Sequence, residues 1–413
     1  MEEWKECRLG DYCDFQNGYA FKSSEFKTNG EYKIVKIKEL KDGLVKFFDD
    51  SASVDIHDIK EFEKYKIYRN DVLFSLTGDP VSKPNPLSWV GRVSIYRSDE
   101  NALLNQRTCK IKKSDEIDNQ FLYYYFRQWE NFYALASKAT GSASQANIST
   151  NTIADTIIKL PPLPTQQKIA DILSSLDDKI ELNNKINTNL EQQAQALFKN
   201  WFVDFGPFGG KMSEGWKVGT IGDLCSTISK TYKSNDSHVV LINTSDVENG
   251  IILNHESVSN SNLKGQFKKT FQKCDILYSE IRPANKHYAF VDIDTTSNYI
   301  ASTKLMVIRP NEDINPHYLY HILTNPDLIQ EMQHLAETRS GTFPQITFES
   351  ELSTYQIPLL PKEEQGKLGE LFEKIDNQIF HNIKENKMLS TIRDTLLPKV
   401  MNGEIEVQNH STA

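Results

Sequence analysis

The sequence lacks any apolar run long enough to cross a lipid bilayer, and it does not open on a basic segment followed by an apolar one. Both absences predict a cytoplasmic protein. Only five cysteines are present and none belongs to a Cys-x-x-Cys pair, which argues against a disulfide framework and a zinc ribbon. His317 and His321 have the spacing of two ligands on one helix face, but no third ligand accompanies them, and we predict no metal site.

Motifs for catalysis are absent from the sequence as well. It contains no Asn-Pro-Pro-aromatic or Asp-Pro-Pro-Tyr motif of a DNA methyltransferase, no P-loop and no helicase motif. These absences predict a chain that is not an enzyme and binds no cofactor of its own. The formal net charge of −9 argues against a general polyanion binder, but it permits a protein that reads nucleic acid through local basic loops.

What the sequence does contain is an internal repeat. Trp4-Lys5 returns as Trp216-Lys217, residues 71–75 return as residues 275–279, and Gly141 with Gln145 returns as Gly341 with Gln345. The interval between matching landmarks is not constant, so insertions separate them. This pattern predicts a common scaffold that carries diverged loops.

Each copy ends in a stripe of residues with the spacing of a heptad repeat, which predicts two long helices that pair with each other. The central part of the stripe consists of Leu173, Leu176, Ile180, Asn183, Asn187 and Leu190 in the first copy, and of Phe372, Ile375, Ile379, Asn382, Asn386 and Leu389 in the second. Two unrelated helices, each packed on its own domain, are the alternative.

The two asparagines occupy the same central positions in both stripes, and a buried amide needs a partner. In an antiparallel pair with full overlap, Asn183 faces Asn386 and Asn187 faces Asn382. A parallel pair would also match them, so the asparagines define the register of the helices better than their direction.

The sequence therefore predicts an α+β fold, with two similar α/β domains joined by two long antiparallel coiled-coil helices in a pseudo-two-fold internal repeat. The predicted segments are a domain at residues 1–155, a helix and linker start at 156–205, a second domain at 206–350, and a helix with a tail at 351–413. Thr165 is the predicted N-cap of the first long helix, which should end near Phe202. Shorter helices are predicted at residues 120–129 and 316–323.

The strings LPPLPTQQKIADIL at residues 160–173 and LFKNWFVDF at residues 197–205 resemble the central region of the DNA specificity (S) subunit of type I restriction–modification systems. The two-copy layout resembles that family too. The resemblance implies a non-catalytic subunit in which each α/β domain is a target-recognition domain for one half of a bipartite DNA site, and the helices set the spacing. It implies double-stranded DNA, two methyltransferase subunits and motor/endonuclease subunits as partners, with S-adenosylmethionine, ATP and Mg bound by those partners.

Sequence-specific reading of DNA needs donors and acceptors at base edges and positioning contacts to phosphate. Three loops in each copy contain suitable amide, hydroxyl and cationic side chains, although glycine and serine also populate ordinary turns. The candidate DNA-binding residues are Thr77, Gly78, Arg92, Asn105, Gln106, Arg107, Gly141, Ser142 and Gln145 in the first copy, and Arg282, Lys286, Thr303, Lys304, Arg339, Gly341, Thr342 and Gln345 in the second. The paired loops differ in composition, which predicts an asymmetric target.

Three other functions remain open at this level. The chain could be the specificity subunit of a related methyltransferase–nuclease system that lacks separate motor subunits. It could be a coiled-coil scaffold that does not bind DNA. It could also be a stand-alone methyltransferase or nuclease, which would require a cofactor motif that the sequence does not contain.

Overall fold

The computed structural model of the chain describes residues 4–112, 114–212, 215–233, 236–262, 265–339 and 341–407. These residues form two compact units. The first unit contains the described residues of Met1–Glu181 and Asn386–Ala413, and the second contains Leu182–Glu385. The division falls inside both long helices, so each unit contains one α/β domain and a segment of each helix. No helix in the described part of the chain is long and apolar enough to span a membrane.

The first unit is built mainly of short strands. In chain order it contains β1 (Lys5–Arg8), β2 (Phe15–Asn17), β3 (Tyr32–Val35), β4 (Leu40–Lys41), β5 (Leu44–Val45), β6 (Ser53–Val54), β7 (Lys66–Ile67), β8 (Val72–Ser75), β9 (Thr77–Gly78), β10 (Val93–Ile95), β11 (Ala102–Leu104), β12 (Thr108–Ile111), α1 (Asn119–Arg127), α2 (Trp129–Ala136), β13 (Thr140–Ser142), β14 (Gln145–Asn147), α3 (Thr150–Ala154), β15 (Ile157–Leu160) and the start of α4 (Leu163–Phe202).

A six-stranded sheet with the order β2-β12-β8-β10-β5-β4 forms the centre of this unit. All four residues of β8 are buried, because the strand lies between β12 and β10 and is covered on both faces. A four-stranded sheet (β6-β3-β11-β7) and a three-stranded sheet (β13-β14-β9) adjoin it, and β1 pairs with β15. Helix α1 begins where Asp118 accepts a 2.8 Å hydrogen bond from the Phe121 N–H.

The core of the first unit extends into the long helices. Buried residues of α1 and of the central sheet belong to the same cluster as Ile169 and Leu173 of α4 and as Leu397 and Val400 of the second long helix. The ends of the two long helices are therefore part of the domain core. At these ends the apolar stripe of each helix contacts both the other helix and the α/β domain.

The second unit repeats this arrangement with different strand lengths. It contains the remainder of α4, then β16 (Lys217–Thr220), β17 (Cys225–Thr227), β18 (His238–Ile242), β19 (Val247–Glu248), β20 (Ile251–Ile252), β21 (Ser257–Ser259), β22 (Phe267–Lys269), β23 (Ile276–Ser279), β24 (Tyr288–Phe290), β25 (Tyr299–Ser302), β26 (Leu305–Pro310), α5 (Pro316–Leu323), α6 (Pro326–Arg339), β27 (Gln356–Leu359) and most of α7 (Lys362–Met401).

Matching strands pair in the same way in the two units. Buried β23 lies between β26 and β24, as β8 lies between β12 and β10, and β18 pairs in parallel with β25, as β3 pairs with β11. The aspartate before each buried strand bonds a cation on the neighbouring strand, at 2.8 Å for Asp71 with Lys110 and 2.7 Å for Asp275 with Arg309. The repeat seen in the sequence is therefore a repeat of structure.

Helices α4 and α7 have 40 residues each. The end of α4 at Phe202 confirms the predicted end, and α5 has the predicted bounds. The predicted N-cap was wrong. The helix begins at Leu163, two residues before Thr165, because the carbonyl of Pro162 already accepts hydrogen bonds from the N–H groups of Thr165 and Gln166.

Within each unit the segments of α4 and α7 run antiparallel. In the second unit Asn183 donates a 2.7 Å hydrogen bond to Glu385, and Asn382 donates a 2.7 Å hydrogen bond to Asn187. The residue numbers therefore rise along α4 while those of the partners on α7 fall, as in an antiparallel pair. The predicted pairing of Asn187 with Asn382 is confirmed. Asn183 bonds Glu385, and its predicted partner Asn386 belongs to the first unit. All twelve predicted pairing residues are buried or half-buried.

The buried amide pair gives a stability prediction. We expect Asn382→Leu to lower the free energy of unfolding by about 1–3 kcal/mol, because Asn187, only 8% exposed, would lose its donor. Replacing both asparagines by leucine should recover most of this loss. The measurement is urea denaturation followed by circular dichroism. Asn189→Leu, at an exposed position two residues from Asn187 on α4, is the matched control, and equal losses for Asn382→Leu and this control would contradict the role of the buried bond.

Candidate nucleic-acid interface

The three predicted loops of the first unit lie beside one another. Thr77 and Gly78 form β9, which pairs with β14 through Thr77 opposite Asn147 and Gly78 opposite Ala146. Strand β13 pairs with β14 on its other side. This hairpin brings Gly141, Ser142 and Gln145 next to β9, so these candidates belong to one small sheet.

The turn between β11 and β12 joins this sheet through the backbone. It carries Gln106 and Arg107, both exposed. The carbonyl of Arg107 accepts a 2.9 Å hydrogen bond from the N–H of Leu76, and the carbonyl of Leu76 accepts one of 2.9 Å from Ile148. An exposed amide and an exposed guanidinium therefore lie beside the hairpin, in a form suited to bidentate contacts with bases.

Close packing within the domain explains why two candidate positions of this region are glycines. A Cβ at Gly78 would lie 2.6 Å from the backbone nitrogen of Val90, and Gly141 has a φ of +146° with the carbonyl oxygen of Gln145 2.3 Å from the place of a Cβ. The close approach of neighbouring strands explains both residues without DNA.

Two candidates of the first unit point inward. The guanidinium of Arg92 donates to the carbonyls of Leu87 and Ile37, and burial lowers its pKa. Asn105 is 8% exposed, and its carbonyl accepts a 2.7 Å hydrogen bond from the hydroxyl of Thr108. Arg92 and Asn105 are thus less accessible to DNA than Gln106 and Arg107, which are the exposed amide and guanidinium of the turn.

The second unit assembles its candidates on the same backbone frame. The N–H of Glu280 donates to the carbonyl of Lys304 at 3.1 Å, and the N–H of Ile346 donates to the carbonyl of Glu280 at 2.8 Å. These bonds match those of Leu76 with Arg107 and Ile148. Arg282, two residues after Glu280, donates its N–H to the carbonyl of Pro344 at 3.1 Å. The candidate segments around Arg282, the Thr303-Lys304 turn and residues 341–345 are therefore brought together.

The side chains on that frame differ from those of the first unit. Arg282 and Lys286 are exposed, have φ of +46° and +55°, and make no ion pair within 4.0 Å among the residues that the structure describes. The ammonium of Lys304 lies 3.5 Å from a carboxylate oxygen of Glu280 and 3.4 Å from the amide oxygen of Gln345. Thr303 is half-buried.

At the end of α6, the guanidinium of Arg339 lies 3.0 Å from a carboxylate oxygen of Glu351. Gly341 and Thr342 are exposed in the segment that follows. Ser340, between Arg339 and Gly341 in the same predicted loop, lies outside the described residues.

Sequence reasoning missed Tyr19, which lies beside the turn of the first unit. Its carbonyl accepts a 2.9 Å hydrogen bond from the N–H of Gln106, and its ring is 38% exposed while packing on Phe21, Phe62 and Tyr65. An exposed aromatic ring next to an exposed amide can stack on a base or a sugar. No signal in the sequence separates it from the core aromatic residues.

A second missed feature is a carboxylate that joins each domain to the helices. Asp177 of α4 accepts 2.6 Å bonds from the hydroxyl of Tyr124 and from Arg393 of α7. At the matching position in α7, Asp376 bonds His317 at 2.7 Å and His321 at 3.0 Å. The two histidines thus share one buried carboxylate, and the described residues contain no cluster of His, Cys, Asp or Glu that could hold a metal ion.

The ionisation of Asp376 follows from this geometry. Burial would raise the pKa of its carboxyl, but the hydrogen bonds from the two histidines outweigh burial and hold the pKa below its ordinary value. The carboxylate is therefore charged in the folded protein, and it anchors α5 to α7.

Comparison with known proteins assigns the class of protein that these features define. The family model of the type I restriction modification DNA specificity domain matches residues 1–192 and 213–388. The chain belongs to this family of specificity subunits. The predicted fold class, two α/β domains with long antiparallel helices, is confirmed.

Individual relatives agree with this assignment. The type I restriction enzyme HindI specificity subunit of Haemophilus influenzae is 42% identical over 183 residues, a match that spans 44% of this chain and 39% of that protein. The EcoBI specificity subunit of Escherichia coli is 23% identical over 98% of this chain and 87% of its own length. The crystal structure of a type I restriction–modification S subunit from M. genitalium has the same fold, with a TM-score of 0.63, 18% identity and 96% of each chain covered.

Proposed function

We propose that this chain reads an asymmetric, bipartite double-stranded DNA sequence, with one half read by each α/β domain. The observation that carries the proposal is that one backbone frame recurs in both units and presents different side chains. In the first unit the frame presents Gln106 and Arg107, and in the second it presents Arg282 and Lys304. A shared frame favours the same mode of docking, and different donors favour different base sequences.

The long helices set the length of the unread gap between the two halves. The antiparallel segments and the buried bond between Asn187 and Asn382 support this part of the proposal, because any slip of the helices would separate two buried amides. A fixed register gives a fixed distance, as a split DNA site requires.

The chain itself is non-catalytic and works in the cytoplasm within a larger assembly. Two methyltransferase subunits dock on it and motor/endonuclease subunits join them. Those partners bind S-adenosylmethionine, ATP and Mg. The family of the chain and the names of its relatives support this division of labour.

The reading role of the first unit is tested at Arg107. We expect Arg107→Ala to weaken binding of the methyltransferase complex to its own target about fivefold to 150-fold, because a bidentate contact with a base contributes about 1–3 kcal/mol. The measurement is fluorescence anisotropy with target and scrambled duplexes at one fixed salt concentration.

The matched control is Lys112→Ala. Lys112 comes directly after β12, whereas Arg107 comes directly before it. The side chain of Lys112 is 49% exposed, so the control removes an exposed cation from the opposite end of the same strand. Arg107→Ala should also reduce the preference for the target over the scrambled duplex, whereas the control should change neither quantity. Equal affinities for the two variants would contradict the proposed interface.

A further inference from the structure

The second unit contains a cleft of about 690 Å³ between α4, α7 and the α/β domain. Its volume lies in the range of small-molecule sites. Polar groups and aromatic rings both line it, including Glu191, Phe198, Tyr320 and Phe380. Apart from Lys286, none of the candidate DNA-binding residues borders the cleft.

The internal repeat shows what occupies the matching place in the first unit. The same interval of 199 residues separates Asp177 from Asp376 and Ala194 from Arg393. The N-caps of α1 and α5, Asp118 and Asn315, fix a second alignment. That alignment matches Tyr123 with Tyr320 and Arg127 with Thr324.

In the first unit two guanidinium groups fill this place. Arg393, whose side chain is 14% exposed, lies 2.6 Å from a carboxylate oxygen of Asp177. Arg127 donates a 2.7 Å hydrogen bond to the hydroxyl of Tyr123. Arg127 packs against Gly43, where a Cβ would lie 2.6 Å from the guanidinium of Arg127. Only glycine leaves enough space for this side chain.

In the second unit both arginines are gone and the groups around them remain. Ala194 replaces Arg393 and Thr324 replaces Arg127, and both residues line the cleft. The tyrosine is retained as Tyr320, and the glycine as Gly250, where a Cβ would lie 2.3 Å from the Tyr320 hydroxyl. The cleft thus lies where the first unit has two arginine side chains, and the second unit has no arginine at either position.

Tyr320 supplies a second, independent observation. Its side chain lines the cleft, it is 9% exposed, and its hydroxyl forms no hydrogen bond with any residue that the structure describes. A tyrosine hydroxyl can both donate and accept a hydrogen bond, so this one is free to bond a ligand that enters the cleft. The matching hydroxyl of Tyr123 accepts its bond from a guanidinium.

The charges of the cleft favour a cation. Lys199 is neutralised by Asp204 at 2.6 Å. Glu191 and Asp327 make no ion pair within 4.0 Å in the described chain, against one unpaired cation, Lys286. Desolvation raises the pKa of the Glu191 carboxyl, and the positive charge of Lys286 offsets this effect only in part. The rings of Phe198 and Phe380 add flat apolar surfaces on which a guanidinium can stack.

We propose that this cleft binds a guanidinium group, with the hydroxyl of Tyr320 and the carboxylate of Glu191 as its acceptors. The group comes either from a small free cation or from an arginine side chain of a partner protein. It occupies the place that Arg393 and Arg127 occupy in the first unit.

The test is calorimetric titration of the full chain with three probes. Agmatine represents a free guanidinium cation, acetyl-Gly-Arg-Gly-amide represents an arginine within a protein, and acetyl-Gly-Lys-Gly-amide carries a cation without the planar fork. We expect saturable binding of at least one guanidinium probe, with the lysine peptide at least tenfold weaker. Tighter binding of agmatine assigns the site to a free cation, and tighter binding of the arginine peptide assigns it to a partner protein.

Three variants locate the binding in the cleft. Tyr320→Phe should weaken the preferred probe about fivefold, the loss expected for one hydrogen bond of about 1 kcal/mol. Ala194→Arg should abolish binding, because it restores the arginine of the first unit. Gln192→Arg is the matched control, since it adds the same charge at an exposed neighbouring position outside the cleft and should leave the affinity unchanged.

Circular dichroism verifies that each variant is folded. The proposal is overturned if neither guanidinium probe binds saturably to the folded chain, or if the lysine peptide binds equally well. It is also overturned if folded Tyr320→Phe binds the preferred probe as tightly as the unchanged chain does. Because this criterion uses Tyr320→Phe alone, the test stands even if Ala194→Arg does not fold.

Discussion

Exchange of residues 1–155 for the matching domain of a family member with a different target should change one half of the methylated sequence and leave the other half unchanged. The candidate contacts of the first half all lie within the exchanged residues, on the sheet of β9, β13 and β14 and the neighbouring turn. The candidate contacts of the second half lie in the second unit. The measurement is genome-wide mapping of methylated positions in cells that carry the chimera and the methyltransferase partner.

The structure adds a requirement for this exchange. The core of the first unit includes residues of both long helices, and the hydroxyl of Tyr124 bonds Asp177 of α4 at 2.6 Å. The donor domain should therefore carry a hydrogen-bond donor at the position of Tyr124. The matched control is exchange of residues 206–350, which should change the other half. A chimera that changed both halves, or neither, would refute the assignment of one half to each domain.

Insertion of one heptad into each long helix should lengthen the unread gap. Seven residues add about 10 Å of helix, on the order of 3 bp of B-DNA. The insertions belong after Glu181 in α4 and after Glu385 in α7, where the chain divides into its two units and the antiparallel partners remain in register within each unit. The bases read in each half should stay the same, because no candidate contact is moved within its own unit.

The control for this insertion is seven residues added between Gly209 and Gly210. Both glycines have positive φ, and a Cβ at either would meet no atom within 4 Å, so the added residues enter open space outside the helix. This control should leave the gap unchanged. A gap that stayed the same after insertion into both helices would contradict the spacing role of the helices.

The sequence predicted the parts of the fold that depend on regular spacing. The apolar stripe predicted both long helices, and the shared positions of the asparagines predicted the bond of Asn187 with Asn382. The duplicated landmarks predicted two related domains because they mark the buried strands β8 and β23. Each of these features repeats with a fixed period or at matching positions, and such patterns survive in the sequence.

The parts that the sequence did not predict depend on contacts between distant residues. Thr77 meets Asn147 across 70 positions of sequence, and this pairing turns two predicted loops into one sheet. Arg92 looked like a DNA contact by its residue type, but its guanidinium bonds backbone carbonyls inside the fold. The roles of Asp177 and Asp376 arise only when helices are packed together, and residue type alone carries no sign of it.

One measurement tests the central claim most directly, namely the methylated sequence of a chain that carries both the exchange of residues 1–155 and the heptad in each helix. The account predicts that one half of the sequence changes, that the gap lengthens by about 3 bp, and that the second half keeps its bases. A change in the gap caused by the exchange alone, or a change in the bases caused by the heptads alone, would contradict the separation of reading and spacing.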